Sequence, residues 1–246
     1  MHSQLGSSIE KQTMILGRGL LAQAFESAFK YSSKVIIFAS GVSNSQCQDS
    51  LEFEREKSMI SDQLLNNKSS LFVYFSSTSI FDPELQLTKY VAHKKFIEEY
   101  LLNHETSDRI LIFRLPIIAG RTANQHTLLN YLAQKILSNT KFDIFTKAYR
   151  NIIDIDDIVK ICTTIIESNR DENKVFNVCN PESIRVLDLV KIMERILDAK
   201  ANFNIVEKGG SAVIDMKNTL PFIENSGVRF GSSYLNETLT KYYCKK

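Results

Sequence analysis

The chain has 246 residues, 43% hydrophobic and 10% aromatic without Trp, and its 30 Lys and Arg against 28 Asp and Glu leave a net charge of +2. That length and apolar share suffice for one sizeable core without disulfide or metal, and interspersed charges with no long basic tract leave no electrostatic footprint for nucleic acid. Cys47, Cys162, Cys179 and Cys244 are scattered, with no Cys-x-x-Cys and no His at ligand spacing, which excludes a structural metal and fits reduced thiols in the cytoplasm. No segment approaches the roughly 18 uninterrupted apolar residues of a membrane span, so a soluble cytoplasmic protein is expected. Residues 1–12 are polar and read as a flexible N-terminal extension. With only 4 Pro, no repeat and no linker, 13–246 reads as a single unit.

Taken in chain order, Met14-Ile15-Leu16 is a short apolar run followed by Gly17-Arg18-Gly19-Leu20-Leu21-Ala22 and an amphipathic stretch to Phe29. Strand, glycine turn and helix in that order can bring backbone amides and a helix N-terminus against a dinucleotide pyrophosphate, with the small Ala22 allowing close helix packing. A tight turn that needs glycine only for its backbone angles is the alternative. Further runs predict a strand over 35–39, a helix over 51–65, a strand over 71–75, a helix over 90–102, a strand over 110–114, and helices over 128–137 and 156–167. The strands are near-continuous apolar runs alternating with helical periodicity. This is the pattern of an α/β fold, a parallel sheet with helices on both faces.

One constellation carries chemistry. Tyr90 and Lys94 lie four residues apart on the 90–102 helix, on one face, after a strand that ends in Ser76-Ser77-Thr78. A phenol with an ordinary pKa near 10 becomes a useful proton carrier at neutral pH when a cation one turn away stabilises the phenolate, and a strand-end hydroxyl such as Ser77 can hold a substrate oxygen against it. Two solvated helix residues are the plain alternative. His93, between the pair, points elsewhere on an ideal helix, and with His2, His104 and His126 it has no partner at triad or metal spacing. Among Asp154, Asp156 and Asp157, Asp156 is expected to be the N-cap of the following helix rather than an acid/base or metal group.

In this order the segments resemble an extended short-chain dehydrogenase/reductase of the NAD-dependent epimerase/dehydratase family. The resemblance runs from about residue 13 to 200. It rests on the glycine turn at 17–22; on Val35-Ile36-Ile37-Phe38-Ala39-Ser40-Gly41; on Phe75-Ser76-Ser77-Thr78-Ser79-Ile80-Phe81; and on Tyr90 with Lys94. It continues through Phe113-Arg114-Leu115-Pro116-Ile117-Ile118-Ala119-Gly120, Arg150-Asn151-Ile152-Ile153-Asp154-Ile155-Asp156-Asp157, Val175-Phe176-Asn177-Val178-Cys179-Asn180 and the run 186–197. The resemblance implies a Rossmann-like parallel sheet with a small C-terminal substrate-binding annex, about 117–150 and 180–246. Tyr90 would be the catalytic acid/base, Lys94 would lower its pKa and hold the nicotinamide ribose, and Ser77, or Thr78 in its stead, would position the reacting oxygen. Gly17, Gly19 and Leu20 would line the pyrophosphate, Ala39, Ser40 and Gly41 the adenosine-side ribose and phosphates, and Pro116 and Ile117 the nicotinamide. Arg150 would meet a nucleotide-sugar diphosphate, while Arg121 and Asn124 would face the sugar unless they are ordinary loop residues. The cofactor implied is NAD or NADP, and the substrate a nucleotide sugar for a surface polysaccharide such as O-antigen or capsule. A homodimer through the 51–65 and 90–102 helices is also implied.

Several residues depart from the family pattern. No acid stands about 20 residues after the glycine turn, where Ile36-Ile37-Phe38-Ala39-Ser40 is found instead of a strand ending in a ribose-binding carboxylate. The second run already resembles the family's fourth strand, so two strands and their helices are missing and the sheet is expected to be shortened on its adenine side. Arg18, inside the turn, either contacts a 2′-phosphate or is solvated. Ser77 and Tyr90 are only 13 residues apart with Pro83 between them, and Ile117 stands where many relatives carry asparagine. A non-catalytic nucleotide-binding or scaffold protein of the same fold therefore stands beside the enzyme. Epimerase, reductase and dehydratase are not separated by these residues.

Overall fold

Val35-Ile36-Ile37-Phe38 offers no polar side chain to solvent, and a strand apolar on both sides must be covered on both. The structure, a computed structural model, describes residues 14–29, 34–168 and 174–244; the extension expected over 1–12 lies outside them. Strands β1 (Met14–Leu16), β2 (Val35–Phe38), β3 (Leu71–Ser77), β4 (Ile110–Leu115) and β8 (Val175–Asn177) form a parallel sheet in the order β1-β2-β3-β4-β8. Alternate residues serve its two faces. Val35, Ile37, Val73, Phe75, Phe113 and Leu115 pack with Phe25 and Phe29 of α1 (Leu20–Phe29) and Ile158, Ile161 and Ile165 of α5 (Ile155–Ser168). Ile36, Phe38, Phe72, Tyr74, Ile110 and Ile112 pack with Ile60 and Leu64 of α2 (Ser50–Asn66) and Ile97 and Leu101 of α3 (Lys89–Leu102). Each buried aliphatic or aromatic side chain here contributes roughly 1.5–3 kcal/mol.

A second cluster joins α4 (Leu128–Leu137) to α6 (Val186–Leu197) with Leu239 of α8 (Tyr234–Tyr243). Beside it, β6 (Phe142–Phe145) pairs in parallel with β10 (Phe203–Val206). Strand β7 (Tyr149–Asp154) pairs with β5 (Ile117–Ala119) and β9 (Ser183–Arg185), and it bridges the two cores by placing Ile152 in the second and Ile153 in the first. Ile223 of α7 (Leu220–Asn225) returns to the first cluster. Among the described residues strand β1, which carries the glycine turn, is the end of the sheet, in agreement with the expected loss of strands on that side. Among the described residues no helix is long and apolar enough to cross a membrane.

The β1–α1 turn needs glycine at one of its two glycine positions for backbone reasons. Gly17 has φ +135°, and a Cβ there would lie 2.4 Å from the Ala39 carbonyl oxygen, whereas a Cβ on Gly19 would meet nothing within 4 Å. Gly17→Ala should cost roughly 2–5 kcal/mol through strain and overlap, with Gly19→Ala within about 1 kcal/mol of wild type. Thermal unfolding of the two variants checks this, and equal melting temperatures would contradict the close approach at Gly17.

Candidate functional site

Parallel strands place all their carboxyl ends along one edge, where open α/β sheets hold ligands. That edge gathers the turn at 17–20 after β1, Ala39-Ser40-Gly41 after β2, Ser77 at the end of β3 and Pro116 after β4. The Ala39 amide donates to the Leu16 carbonyl at 2.7 Å, holding the first two of these together. Gly19 is exposed with open space where a side chain would stand, so the α1 N-terminus has room for an anionic group against its free amides. Arg18 is exposed. Leu20 packs on Gly120, where a Cβ would lie 2.8 Å from the leucine methyl. A dinucleotide pyrophosphate fits this turn.

Beside Gly41 stands a buried polar network. Lys94 is 2% exposed, and its ammonium donates to Glu56 Oε1 at 2.9 Å and to the Tyr74 hydroxyl at 2.9 Å. Glu56, wholly buried on α2, also accepts from the Tyr74 hydroxyl at 2.7 Å and the Val42 amide at 2.7 Å, and His93 Nε2 lies 3.0 Å from its Oε2. Burial alone would push the Glu56 carboxyl up, but the Lys94 charge and the hydrogen bonds from His93, Tyr74 and Val42 hold it far below its ordinary value. Tyr74 is driven the other way, by burial first and the adjacent carboxylate second, and remains a neutral donor. A Cβ on Gly41 would come within 2.9 Å of Glu56 Oε1 and 3.1 Å of Lys94 Nζ, so a side chain there would press on the ion pair.

The structure thus brings Gly41, Tyr90 and Lys94 together, the Lys94 ammonium lying 5.9 Å from the Tyr90 ring centroid. Tyr90 is 5% exposed and packs with Val42, Ile80 and Val91 in a small cluster fringed by Phe53, Phe81 and Leu85; its hydroxyl bonds no described residue. Ser77 Oγ accepts from the Ser79 amide at 3.1 Å and so caps a 3-10 turn over Thr78–Phe81, in which Thr78 is buried. Ile117 and Pro116 are half-buried at the β4–β5 junction. His93 does not point away from the pair as an ideal helix suggests. Its ring stacks on Phe53 at 4.5 Å and turns to Glu56, so the two neighbours on α3 share one carboxylate.

The other candidates are placed less centrally. Arg150, on β7, faces Asp82 of the loop after β3 at 3.5 Å and donates to the Tyr149 carbonyl. Asn124 serves its own loop, accepting from the His126 amide. Arg121 lines a cavity of about 410 Å³ with Gly120, Asn130, Tyr242 and Tyr243 of the C-terminal helix. Ser40 is gripped by Arg55, which donates to its carbonyl at 3.1 Å and its hydroxyl at 3.3 Å. The cap of α5 also differs from expectation. Strand β7 runs to Asp154 and the helix starts at Ile155, so Asp154 accepts from the Asp156 amide, while Asp156 lies exposed in the first turn and pairs with Lys241. Among the described residues no acid, His and Cys group could hold a metal ion.

Glu56→Ala would leave Lys94 charged and unpaired in the interior and should cost about 3–5 kcal/mol, whereas Glu56→Leu with Lys94→Met should recover much of that loss. Because the folded-state carboxyl is held below its unfolded value, this stabilisation is fully present above the ordinary carboxylate range and is lost as pH falls below it. Denaturant unfolding from pH 7 to pH 3 checks both points; a pH dependence identical in wild type and the double variant would remove Glu56 as its source.

No curated protein matches the chain in sequence. Solved structures that resemble it include the UDP-N-acetylglucosamine 4-epimerase of Methanobrevibacter ruminantium M1, with TM-score 0.67 and 14% identity over 95% of this chain and 97% of that one. The UDP-glucuronic acid 4-epimerase of Bacillus cereus, in complex with UDP-glucuronic acid and NAD, gives TM-score 0.68 and 16% identity over 94% and 89%. RMD from Pseudomonas aeruginosa, complexed with NADPH, gives TM-score 0.71 and 11% identity over 93% and 96%. At such identities the likeness is one of fold. The sequence model of one family spans residues 12–179, more than half of the chain, and the protein belongs to that family, the NAD dependent epimerase/dehydratases.

Proposed function

We propose that the chain is an enzyme that binds NAD or NADP at the turn over 17–20 and acts on a sugar carbon of a nucleotide-activated sugar. The observation that carries this reading is the meeting of Tyr90, Lys94 and Gly41 at the same sheet edge as the open α1 N-terminus. The nicotinamide, when bound, supplies reversible hydride exchange. The chain's own residues do the rest. Tyr90 carries the proton of the reacting hydroxyl, its own hydroxyl bonding no described residue. Ser77, whose oxygen accepts from Ser79, keeps its proton to donate to the substrate oxygen. Lys94 uses two donors on Glu56 and Tyr74, leaving a third for a ribose hydroxyl beside Gly41. Arg150 offers a planar fork to the diphosphate. Supply of sugars for a surface polysaccharide in the cytoplasm, and a homodimer across α2 and α3, complete the proposal; a monomer in sedimentation at micromolar concentration would remove the dimer.

Two observations favour the second reading, a nucleotide-binding protein without turnover. Glu56 already neutralises Lys94, and β1 ends the sheet with no carboxylate at Ala39-Ser40. Calorimetry and nicotinamide fluorescence with NADH and NADPH separate the readings. Wild type should bind one of them, and Gly19→Asp, which puts a carboxylate into the anion cradle, should abolish binding. Tyr90→Phe should then keep cofactor affinity within about threefold while lowering turnover of UDP-sugars by 10²–10⁴-fold. A folded wild type that binds neither dinucleotide would make the scaffold the better reading.

A further inference from the structure

Asp82 has no part in the chemistry assigned above, yet it is buried, and it faces the arginine assigned to the diphosphate. Its side chain is 12% exposed and that of Arg150 27%, with Oδ2 and Nη1 3.5 Å apart. Hydrogen bonds within its own loop orient it. Asp82 Oδ1 accepts from the Glu84 amide at 3.0 Å, its carbonyl accepts from the Leu85 amide at 3.0 Å, and Gln86 donates to the Ile80 and Asp82 carbonyls at 2.6 and 3.1 Å. Among the described residues the contacts of the Arg150 guanidinium use Nη1, leaving the Nε and Nη2 donors of the fork. The arginine is therefore geometrically open and electrostatically half-neutralised.

Resting on the reading of Arg150 as a diphosphate ligand, we propose that Asp82 is a specificity-determining residue. Its carboxylate competes with the ligand's phosphate oxygens for Arg150 and so limits how much affinity the phosphates of a nucleotide add over the bare nucleoside. A partly buried carboxylate beside the guanidinium opposes any incoming anion by like-charge repulsion, and does so in proportion to the anion's charge. A nucleoside without phosphate meets no such opposition. The residue thus weakens phosphate binding in general, and weakens it most for the most highly charged ligand.

Asparagine at this position is a clean probe, because it keeps the oxygen that accepts from Glu84 and loses the charge; circular dichroism and thermal unfolding confirm that the loop variant is folded. Asp82→Asn should bind UDP roughly three- to tenfold more tightly than wild type in calorimetry, with uridine binding unchanged. In the Arg150→Gln background the same substitution should give a clearly smaller gain, since the competition has lost its object and only the direct repulsion is left to relieve. If Asp82→Asn binds UDP no better than wild type while Arg150→Gln binds it worse, Asp82 merely orients the arginine and the inference is overturned with the reading of Arg150 intact. If Arg150→Gln binds UDP as wild type does, the reading of Arg150 as a diphosphate ligand fails and the inference with it. A gain for uridine equal to that for UDP, or no UDP binding by wild type and Asp82→Asn alike, also overturns it.

Discussion

One buried carboxylate fixes the geometry on which the rest of this edge depends. Removing Glu56 from water costs several kcal/mol unless its lone pairs are filled, and the four groups that fill them come from separate parts of the chain. Val42 follows β2, Tyr74 lies on β3, and His93 and Lys94 lie on α3, while Glu56 itself belongs to α2. Displacing any of these elements would leave part of the buried carboxylate unsatisfied. The same network also limits the chemistry. It holds the Lys94 ammonium beside Gly41 and Tyr90, yet it places a full counter-charge 2.9 Å away. The lysine is therefore better suited to orienting a hydroxyl than to acting as an isolated positive field.

Helix α2 has a further part in the architecture. With β1 at the end of the sheet, the segment after β2 is near the margin of the molecule and lies beside the turn it helps to close. Two consecutive residues of α2 clamp it, Arg55 on Ser40 and Glu56 on Val42. The chain after β2 is held from the helix layer, and this gives a short sheet a defined carboxyl edge. What that edge lacks is a carboxylate at Ala39 or Ser40 to hold an adenosine ribose, so the turn at 17–20 and the Gly41 side are the parts of the cradle that remain.

The sheet was legible because its strands are continuous apolar runs and its helices long. The helices expected over 51–65 and 90–102 form at Ser50–Asn66 and Lys89–Leu102. Short strands of the C-terminal part were not, since β9 and β10 have three and four residues and mixed burial, which gives no period to read. Tyr90, Lys94 and the glycine turn were legible from spacing. The partners of Lys94 were not, because they lie at sequence separations of 20 and 38 residues. One signal did exist: Glu56, Ile60 and Leu64 form the buried stripe of α2, and an acid in an apolar stripe asks for a buried partner. His93 escaped for a related reason. An ideal helix separates adjacent side chains by about 100°, but a long lysine and a broad imidazole can still reach opposite oxygens of one carboxylate.

Strand β7 shows how the second core bears on the edge. At one end it presents Arg150, and at the other Asp154, where helix α8 is fastened. Lys241 donates to Asp154 at 2.8 Å, Tyr242 to Asp154 at 2.7 Å, and Tyr234 to Asp157 at 2.9 Å while accepting from the Asp154 amide. Burial first, then the neighbouring carboxylates, pushes the Tyr234 and Tyr242 phenols above their ordinary range, so both stay donors wherever the protein is folded. With β7 paired to β5 on one side and β9 on the other, Arg150 stands on a rigid support. Asp82 stands on a loop whose Leu87 side chain is fully exposed and which meets Arg150 of β7 through a long ion pair. If a phosphate takes the arginine, the strand has little freedom to follow it and the loop has more. The exchange of partners would therefore be felt in the 78–88 segment, whose Ile80, Phe81 and Leu85 pack around Tyr90.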